Sequence, residues 1–123
     1  MKNNPILLVA GEPNSIFFEI FLKTYKKYKF NSPIILICSK KLFIKQAKAL
    51  NQNTIFNNLN QNFYLLKKYK LDKLNIIDVE YNQSKAFDKI SSKSNNYIHN
   101  CFKIALDIMK KGISDKLING PIS

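Results

Sequence analysis

Apolar residues in this chain form short continuous runs that alternate with segments of helical spacing. Residues 6–9 (Ile-Leu-Leu-Val) and 34–38 (Ile-Ile-Leu-Ile-Cys) are apolar throughout, which is typical of strands buried on both faces of a parallel sheet. The run at 74–79 is rich in branched residues and predicts a further strand. The pattern therefore indicates an α/β domain, a mostly parallel sheet flanked by helices.

The intervening segments predict helices. Residues 15–28 predict a first helix in which Asn14 or Ser15 caps the N-terminus. Residues 40–50 predict a second helix, capped by Ser39. The apolar positions of the first helix that recur at helical spacing are Ile16, Phe17, Ile20, Phe21 and Tyr25.

The clearest helix begins near Asn95, with Ser94 as its predicted cap and Gly112 as a left-handed residue at its C-terminal end. A stripe of apolar residues at helical spacing predicts its buried face. The stripe consists of Ile98, Cys101, Phe102, Ala105, Ile108 and Met109.

Other segments have weaker patterns. Residues 54–56 predict a short strand, and residues 63–69 fit a helical turn or a strand equally well. Residues 80–94 predict a long polar loop with few apolar anchors. Residues 116–119 predict a last strand that leads into a Gly-Pro turn, after which a further element is expected.

The composition is strongly basic, with a net charge of +12 over 123 residues. All of the 20 basic residues are lysines. Since arginine is the usual bidentate reader of phosphates and guanine edges, this composition disfavours nucleic-acid recognition. The alternative is a binding module for RNA or another polyanion. It would use Lys26, Lys27, Lys29, Lys67, Lys68 and Lys70, with Tyr28 and Tyr69 for stacking.

Cysteine and histidine provide no metal-binding pattern. Cys38 and Cys101 are isolated, lie in apolar surroundings and predict buried free thiols in a reducing compartment. His99 is the only histidine and has no second ligand at helical spacing. No apolar segment is long enough to span a membrane, so a cytoplasmic location is expected.

The candidate site lies in the two loops that follow the first and last predicted strands. Ligands of α/β sheets bind outside the carboxyl ends of the strands. From the residues alone, the favoured interpretation of the first loop is a tight connection without a ligand. The loop also lacks the Walker and dinucleotide fingerprints. The candidate residues are Gly11, Glu12, Pro13, Asn14, Asn119, Gly120, Pro121 and Ser123.

Two segments resemble a known family. Residues 6–20, Ile-Leu-Leu-Val-Ala-Gly-Glu-Pro-Asn-Ser-Ile-Phe-Phe-Glu-Ile, resemble the Gly-Asp/Glu-Pro-Ala-Gly-Ile-Gly-Pro-Glu motif of the 4-hydroxythreonine-4-phosphate dehydrogenases. Residues 112–123, Gly-Ile-Ser-Asp-Lys-Leu-Ile-Asn-Gly-Pro-Ile-Ser, are similar to the family's Gly-x-x-Asp-Ala-Leu-Val-Thr-Ala/Gly-Pro-Ile-Asn/Ser-Lys. The resemblance covers roughly the first third of a family chain.

The resemblance implies a fold like that of isocitrate and isopropylmalate dehydrogenases, with residues 1–123 as the incomplete N-terminal α/β portion of a larger two-domain enzyme. It implies NAD-dependent oxidation and decarboxylation of 4-phosphooxythreonine, a small phosphorylated substrate, in pyridoxal phosphate biosynthesis. It also implies a homodimer, and a divalent metal ion whose ligands are expected beyond Ser123. The 123 residues alone then contain no catalytic residue or metal ligand and are expected to be inactive.

The chain departs from the family motif at residues 15–18, where Ser-Ile-Phe-Phe stands in place of Gly-Ile-Gly-Pro. The two glycines that allow close approach of backbone or ligand are therefore missing. A catalytically degenerate relative that kept the fold is a further alternative.

Overall fold

The computed structural model describes residues 4–59 and 69–121. Within these ranges the chain forms strands and helices that alternate over most of its length. A short 3-10 helix, Ser92–Ser94, precedes the last helix. The elements are β1 (Ile6–Val9), α1 (Phe17–Lys27), β2 (Ile34–Cys38), α2 (Lys40–Ala49), β3 (Phe56–Asn58), β4 (Leu74–Asp78), α3 (Asn95–Lys110) and β5 (Lys116–Asn119).

The strands form one five-stranded sheet in the order β3-β4-β2-β1-β5. All neighbours pair in parallel, with Ile6 of β1 opposite Ile34 of β2 and Lys116 of β5. Since the strands are parallel, their carboxyl ends share one edge of the sheet. The predicted fold class is confirmed as α/β, a parallel sheet flanked by helices.

The sheet has an apolar core on each face, and β2 is therefore buried at every position. Ile35 and Ile37 face a core that α3 covers, with Cys101 and Ala105 among its buried residues. The alternate residues of β2, such as Leu36, face a second core covered by α1 and α2. The β-α-β-α opening and the three-layer arrangement follow from this two-sided burial.

Helix α1 differs in its buried face from the sequence prediction. Ile16 and Ile20 are 63% and 55% exposed, whereas Phe18 and Leu22 enter the core. The helix begins at Phe17, and Ile16 occupies the N-cap position without a side-chain bond. Ser15 contributes a single hydrogen bond, accepted by its hydroxyl from the Phe17 amide at 3.2 Å. Of the two predicted acceptors, Ser15 therefore bonds an amide of the first turn, whereas Asn14 bonds Gln83 and Asp88 instead.

Strands β1, β2 and β5 have the predicted bounds, whereas α2, β3 and β4 agree with the predictions in type and differ at their ends. Ser39 caps α2 by accepting from the Leu42 amide at 3.2 Å, as predicted. The short strand begins at Phe56 rather than at residue 54, and Ile55 is exposed. The predicted turn or strand at 63–69 lies outside the described residues except for Tyr69, which is in neither a helix nor a strand.

Helix α3 buries the predicted stripe, with Ile98, Cys101, Ala105 and Ile108 inside the core. Gly112 has the predicted left-handed conformation, with φ of 76°. Ser94 precedes the helix but makes no cap bond, so the predicted capping role is wrong. No helix in residues 4–59 and 69–121 combines the length and apolar character needed to cross a membrane.

Candidate functional site

The loops after β1 and β5 meet at the carboxyl edge of the sheet. The parallel register places Val9 opposite Asn119, so both strands end at the same level. The Gly120 amide donates to the Val9 carbonyl at 2.8 Å, and the Glu12 amide donates to the Pro121 carbonyl at 2.7 Å. The structure therefore brings the two sequence-predicted loops together, through their backbones.

Glycine is required at both contact points. Gly11 has φ of 77°, a left-handed conformation, and a Cβ there would lie 2.9 Å from the Gly120 carbonyl. A Cβ on Gly120 would lie 2.7 Å from Cδ1 of Phe17 and would also clash with the Ala10 carbonyl. The space that the missing side chains leave is thus occupied by the facing loop, so it is not an open cradle for a ligand.

Phe17 stands where the family motif has a glycine, and its ring packs against Gly120. The ring also stacks on Phe21, with centroids 6.0 Å apart and planes 3° from parallel. Its neighbour Phe18 points into the core and packs edge-on against Phe43. Phe18 therefore faces the core, whereas Phe17 is half-buried against the same core and its ring borders Gly120.

Glu12 is the most buried polar residue of these loops, with 2% of its surface exposed. Its Oε2 accepts from the Ser94 hydroxyl at 2.8 Å, and its Oε1 accepts from the backbone amide of Asn14 at 3.4 Å. Burial and, next, the negative charge of Glu12 raise the pKa of Tyr81. Of the groups at this edge of the sheet, this carboxylate, buried at the end of β1, is the one best suited to take part in chemistry.

Asn14 and Pro13 face the segment that connects β4 to α3, which we call the β4–α3 loop (residues 79–91). The Asn14 amide group exchanges two hydrogen bonds with Gln83, at 2.9 and 2.8 Å. The Pro13 carbonyl accepts from Nε2 of Gln46, a residue of α2, at 2.8 Å. The predicted polar loop is thus fastened to the first candidate loop.

The remaining predicted site residues contribute less. Asn119 is exposed, and its amide donates to the adjacent Gly120 carbonyl at 2.9 Å. Pro121 contributes its carbonyl to the bond with Glu12. Ser123 lies outside the described residues, so the structure does not place it.

Three polar residues of this edge were missed in the sequence: Gln46, Ser94 in its contact with Glu12, and Tyr97. The Tyr97 hydroxyl accepts from the Ser39 amide at 2.8 Å. Burial raises the pKa of this phenol well above its usual range. Tyr97 could have been recognised from the sequence, because it directly precedes Ile98, the first residue of the predicted apolar stripe of α3. Gln46 and Ser94 carry no local signal, because their partners are distant in the chain.

The residues present do not fit the metal ion that the resemblance implies. Among residues 4–59 and 69–121 no three His, Cys, Asp or Glu side chains converge as metal ligands do. His99 is exposed on α3, and both cysteines are buried free thiols, as predicted. Nor do the described loops offer a dinucleotide cradle, since the Glu12 amide is already bonded to Pro121. We therefore assign no metal or NAD contact to a described residue.

The structure brings together only some of the lysines that the alternative hypothesis, a binding module for RNA or another polyanion, would use. Lys26, Lys27 and Lys29 line an open groove of about 670 Å³ near the C-terminal end of α1, with the exposed ring of Tyr28. Tyr69 packs against the core that α3 covers and is not beside Tyr28. Lys70 is exposed, and Lys67 and Lys68 lie outside the described residues.

Comparison with known proteins agrees with the resemblance. No protein-family profile and no curated protein sequence matches the chain. Its fold is similar to that of a protein of Salmonella typhimurium assigned as a 4-hydroxythreonine-4-phosphate dehydrogenase, with a TM-score of 0.83 and 16% identity over 99% of this chain. It is also similar to 4-hydroxythreonine-4-phosphate dehydrogenases of Burkholderia phymatum (0.77, 12% identity, 100% of this chain) and Klebsiella pneumoniae (0.77, 15% identity, 98% of this chain).

The chain spans 38% of the length of each of these three proteins. At such identities the similarity establishes the fold. The predicted resemblance to 4-hydroxythreonine-4-phosphate dehydrogenases is thus confirmed: this chain has the fold of part of these dehydrogenases.

Proposed function

We propose that residues 1–123 form the N-terminal α/β portion of an NAD-dependent dehydrogenase that oxidises and decarboxylates 4-phosphooxythreonine in pyridoxal phosphate biosynthesis. The observation that carries the proposal is the fold similarity over 98% or more of this chain to three proteins described as 4-hydroxythreonine-4-phosphate dehydrogenases. It is supported by the meeting of the two family-like motifs at one edge, where the Glu12 amide donates to Pro121.

In this reaction the secondary alcohol of the substrate loses a hydride to NAD and a proton to solvent, and the resulting β-keto acid loses carbon dioxide. The described residues would contribute the walls of the cleft, namely the loops at residues 11–14 and 119–121. The ligands of the divalent metal ion would come from parts of the enzyme beyond residue 123. A second copy of the enzyme would complete the cleft as the homodimer partner. Such an enzyme would act in the cytoplasm.

The test is an assay of the polypeptide encoded by the reading frame that contains residues 1–123. With NAD, a divalent cation and 4-phosphooxythreonine it should form NADH and carbon dioxide in equal amounts. Unphosphorylated 4-hydroxythreonine is the matched control substrate and should react far more slowly. No NADH formation from the phosphorylated substrate would overturn the proposal in favour of a catalytically degenerate relative, the reading that Phe17 beside Gly120 favours.

A second candidate function, binding of RNA or another polyanion, rests on the groove formed by Lys26, Lys27 and Lys29. The groove adjoins the C-terminal end of α1, where the helix dipole is negative and disfavours an anion. Titration with labelled RNA at physiological salt distinguishes the functions. The dehydrogenase predicts weak binding that salt abolishes, whereas nanomolar affinity would favour the binding module.

A further inference from the structure

We propose that the β4–α3 loop is a cover over the Glu12 carboxylate, that the side chains of Asn14 and Gln46 latch it, and that ligands reach Glu12 only when this latch opens. The inference concerns access to the candidate site rather than the reaction performed there. It can therefore be tested without substrate, and its failure would leave the proposed function standing.

Asn14 holds the loop at two points. Its Nδ2 donates to Oε1 of Gln83 at 2.9 Å, and its Oδ1 accepts from Nε2 of the same residue at 2.8 Å. The same Oδ1 accepts from the backbone amide of Asp88 at 2.9 Å. One side chain of the first candidate loop thus fixes both the beginning and the end of residues 83–88.

Helix α2 provides the second part of the latch. Lys45 donates to the Gln83 carbonyl at 2.7 Å. Gln46 is fully buried, and its Nε2 donates to the carbonyls of Pro13 and Ala86, at 2.8 and 2.7 Å. Gln46 therefore ties the first candidate loop and the β4–α3 loop to the same helix.

The latch contains an unsatisfied acceptor. Oε1 of Gln46 is buried and has no hydrogen-bond partner among the described residues. A buried acceptor without a partner raises the free energy of the closed arrangement, and water would satisfy it when the loop lifts away. Opening is thereby favoured relative to a fully satisfied latch.

Apolar packing of the loop is thin beyond its first residues. The Tyr81 ring packs against the Tyr97 ring, with centroids 4.9 Å apart and planes tilted by 37°, which anchors the end next to β4. Further along, Phe87 and Ile90 are 41% and 56% exposed. Segments held by a few polar contacts with little buried apolar surface open locally without unfolding the domain. The hydrogen bonds of Asn14 and Gln46 consequently decide how often this loop opens.

Ser94 follows the loop closely in the chain and Glu12 is its hydrogen-bond partner; they are 1% and 2% exposed. The Ser94 hydroxyl contacts both Oε2 of Glu12 and the Ser91 carbonyl at the end of the loop. A thiol at position 94 would therefore report the opening of the cover. Cys38 and Cys101 are buried within the two cores and report global unfolding in the same molecule.

The experiment measures thiol labelling of the Ser94→Cys variant of the 123-residue chain, alone and combined with Asn14→Ala. We expect the new thiol to react faster than Cys38 and Cys101. Asn14→Ala should accelerate its reaction by at least roughly tenfold, because one lost hydrogen bond corresponds to about that factor and Asn14 makes three bonds to Gln83 and Asp88 of the loop. The native thiols should keep their rates. Asn100→Ala, which removes an exposed asparagine of α3, is the matched control and should change no rate.

Amide hydrogen exchange provides a readout without a cysteine variant. Exchange of the Asp88 amide should accelerate in Asn14→Ala while the amides of β2 keep their protection. The proposal is overturned if the thiol at position 94 reacts no faster than the native cysteines, or if all three thiols accelerate together. It is equally overturned if Asn14→Ala leaves both the thiol and the Asp88 amide unchanged.

Discussion

The hydroxyl of Ser94 donates to Oε2 of Glu12 at 2.8 Å and joins two residues that are 82 positions apart. Ser94 lies immediately before α3, and Glu12 lies in the loop after β1. The bond therefore connects the two helical layers across the carboxyl edge of the sheet. Ser94 does not cap its own helix because its backbone lies in the right-handed helical region, with φ of −87° and ψ of −2°, rather than in the extended conformation of a typical N-cap.

The substitution Ser94→Ala should destabilise the domain by about 2 kcal/mol, because it removes a donor from a buried carboxylate. Urea denaturation measures the change, and Ser92→Ala is the matched control because Ser92 is exposed in the same 3-10 helix. Equal stability of the two variants would mean that another group compensates fully for the lost bond.

The close approach of Gly11 to Gly120 predicts that Gly11→Ala is more harmful than Gly112→Ala. Both glycines are left-handed, with φ of 77° and 76°. Only Gly11 has backbone atoms in the way, since nothing lies within 4 Å of a Cβ at Gly112. The strain common to both positions should cost about 1 kcal/mol, and the clash at Gly11 a further ~2 kcal/mol.

Thermal or urea unfolding of the two alanine variants measures this difference. The Gly112→Ala variant serves as the control for the backbone conformation alone. If the two variants are equally stable, the loops after β1 and β5 are not packed as closely as their glycines indicate.

The extent of prediction from sequence is clearest in the comparison of β2 with α1. The five consecutive apolar residues of β2 predict a strand buried on both faces, and β2 is buried at every position. In contrast, six of the seven residues 16–22 are apolar, so helical spacing alone does not select which stripe is buried. The core selected Phe18 and Leu22 over Ile16 and Ile20.

The candidate site was predictable in its backbone but not in its side-chain contacts. Glycine and proline at two strand ends indicated the loops, because parallel strands place their carboxyl ends at one edge. The bonds of Gln46 to Pro13 and Ala86 span 33 and 40 positions, and no local pattern encodes them. Asn75 is similar: it lies in an apolar run, yet its buried amide donates to the Ile34 carbonyl.

Removal of the Phe17 ring should open space beside Gly120, at the edge where the two candidate loops meet. In the polypeptide encoded by the complete reading frame, Phe17→Gly and Phe17→Ala should both lower the KM for the phosphorylated substrate by about tenfold, equivalent to roughly 1.4 kcal/mol. The alanine variant separates loss of the ring from the added backbone freedom of glycine. If neither variant changes KM or activity, the loop at residues 11–14 is only a connection.

The buried thiols predict a loss of stability at alkaline pH. Burial raises the pKa of Cys101 from 9.0 to about 12 and also raises that of Cys38 well above its usual range. Well below pH 9 these thiols are protonated in both the folded and the unfolded state and contribute no pH dependence. Between pH 9 and 12 the unfolded chain releases their protons first, so the free energy of unfolding falls as pH rises.

Urea denaturation at several pH values tests this direction. The Cys101→Ala variant, which removes one of the two thiols, should show a shallower decline above pH 9 than the unsubstituted chain. An identical decline in both would assign the alkaline loss of stability to lysine or tyrosine titration instead.

The last prediction concerns the 123-residue chain alone. Supplied with NAD, a divalent cation and 4-phosphooxythreonine, it should produce no NADH above background. The reason is that the proposed enzyme would take its metal ligands from beyond residue 123, while residues 4–59 and 69–121 bring no three metal-binding side chains together. NADH formation is followed by absorbance, with a 4-hydroxythreonine-4-phosphate dehydrogenase of established activity as the positive control. Clear turnover by this chain would place a working site within it, and Glu12→Gln would then be the first variant to assay, because that carboxylate is the buried charge nearest the two loops.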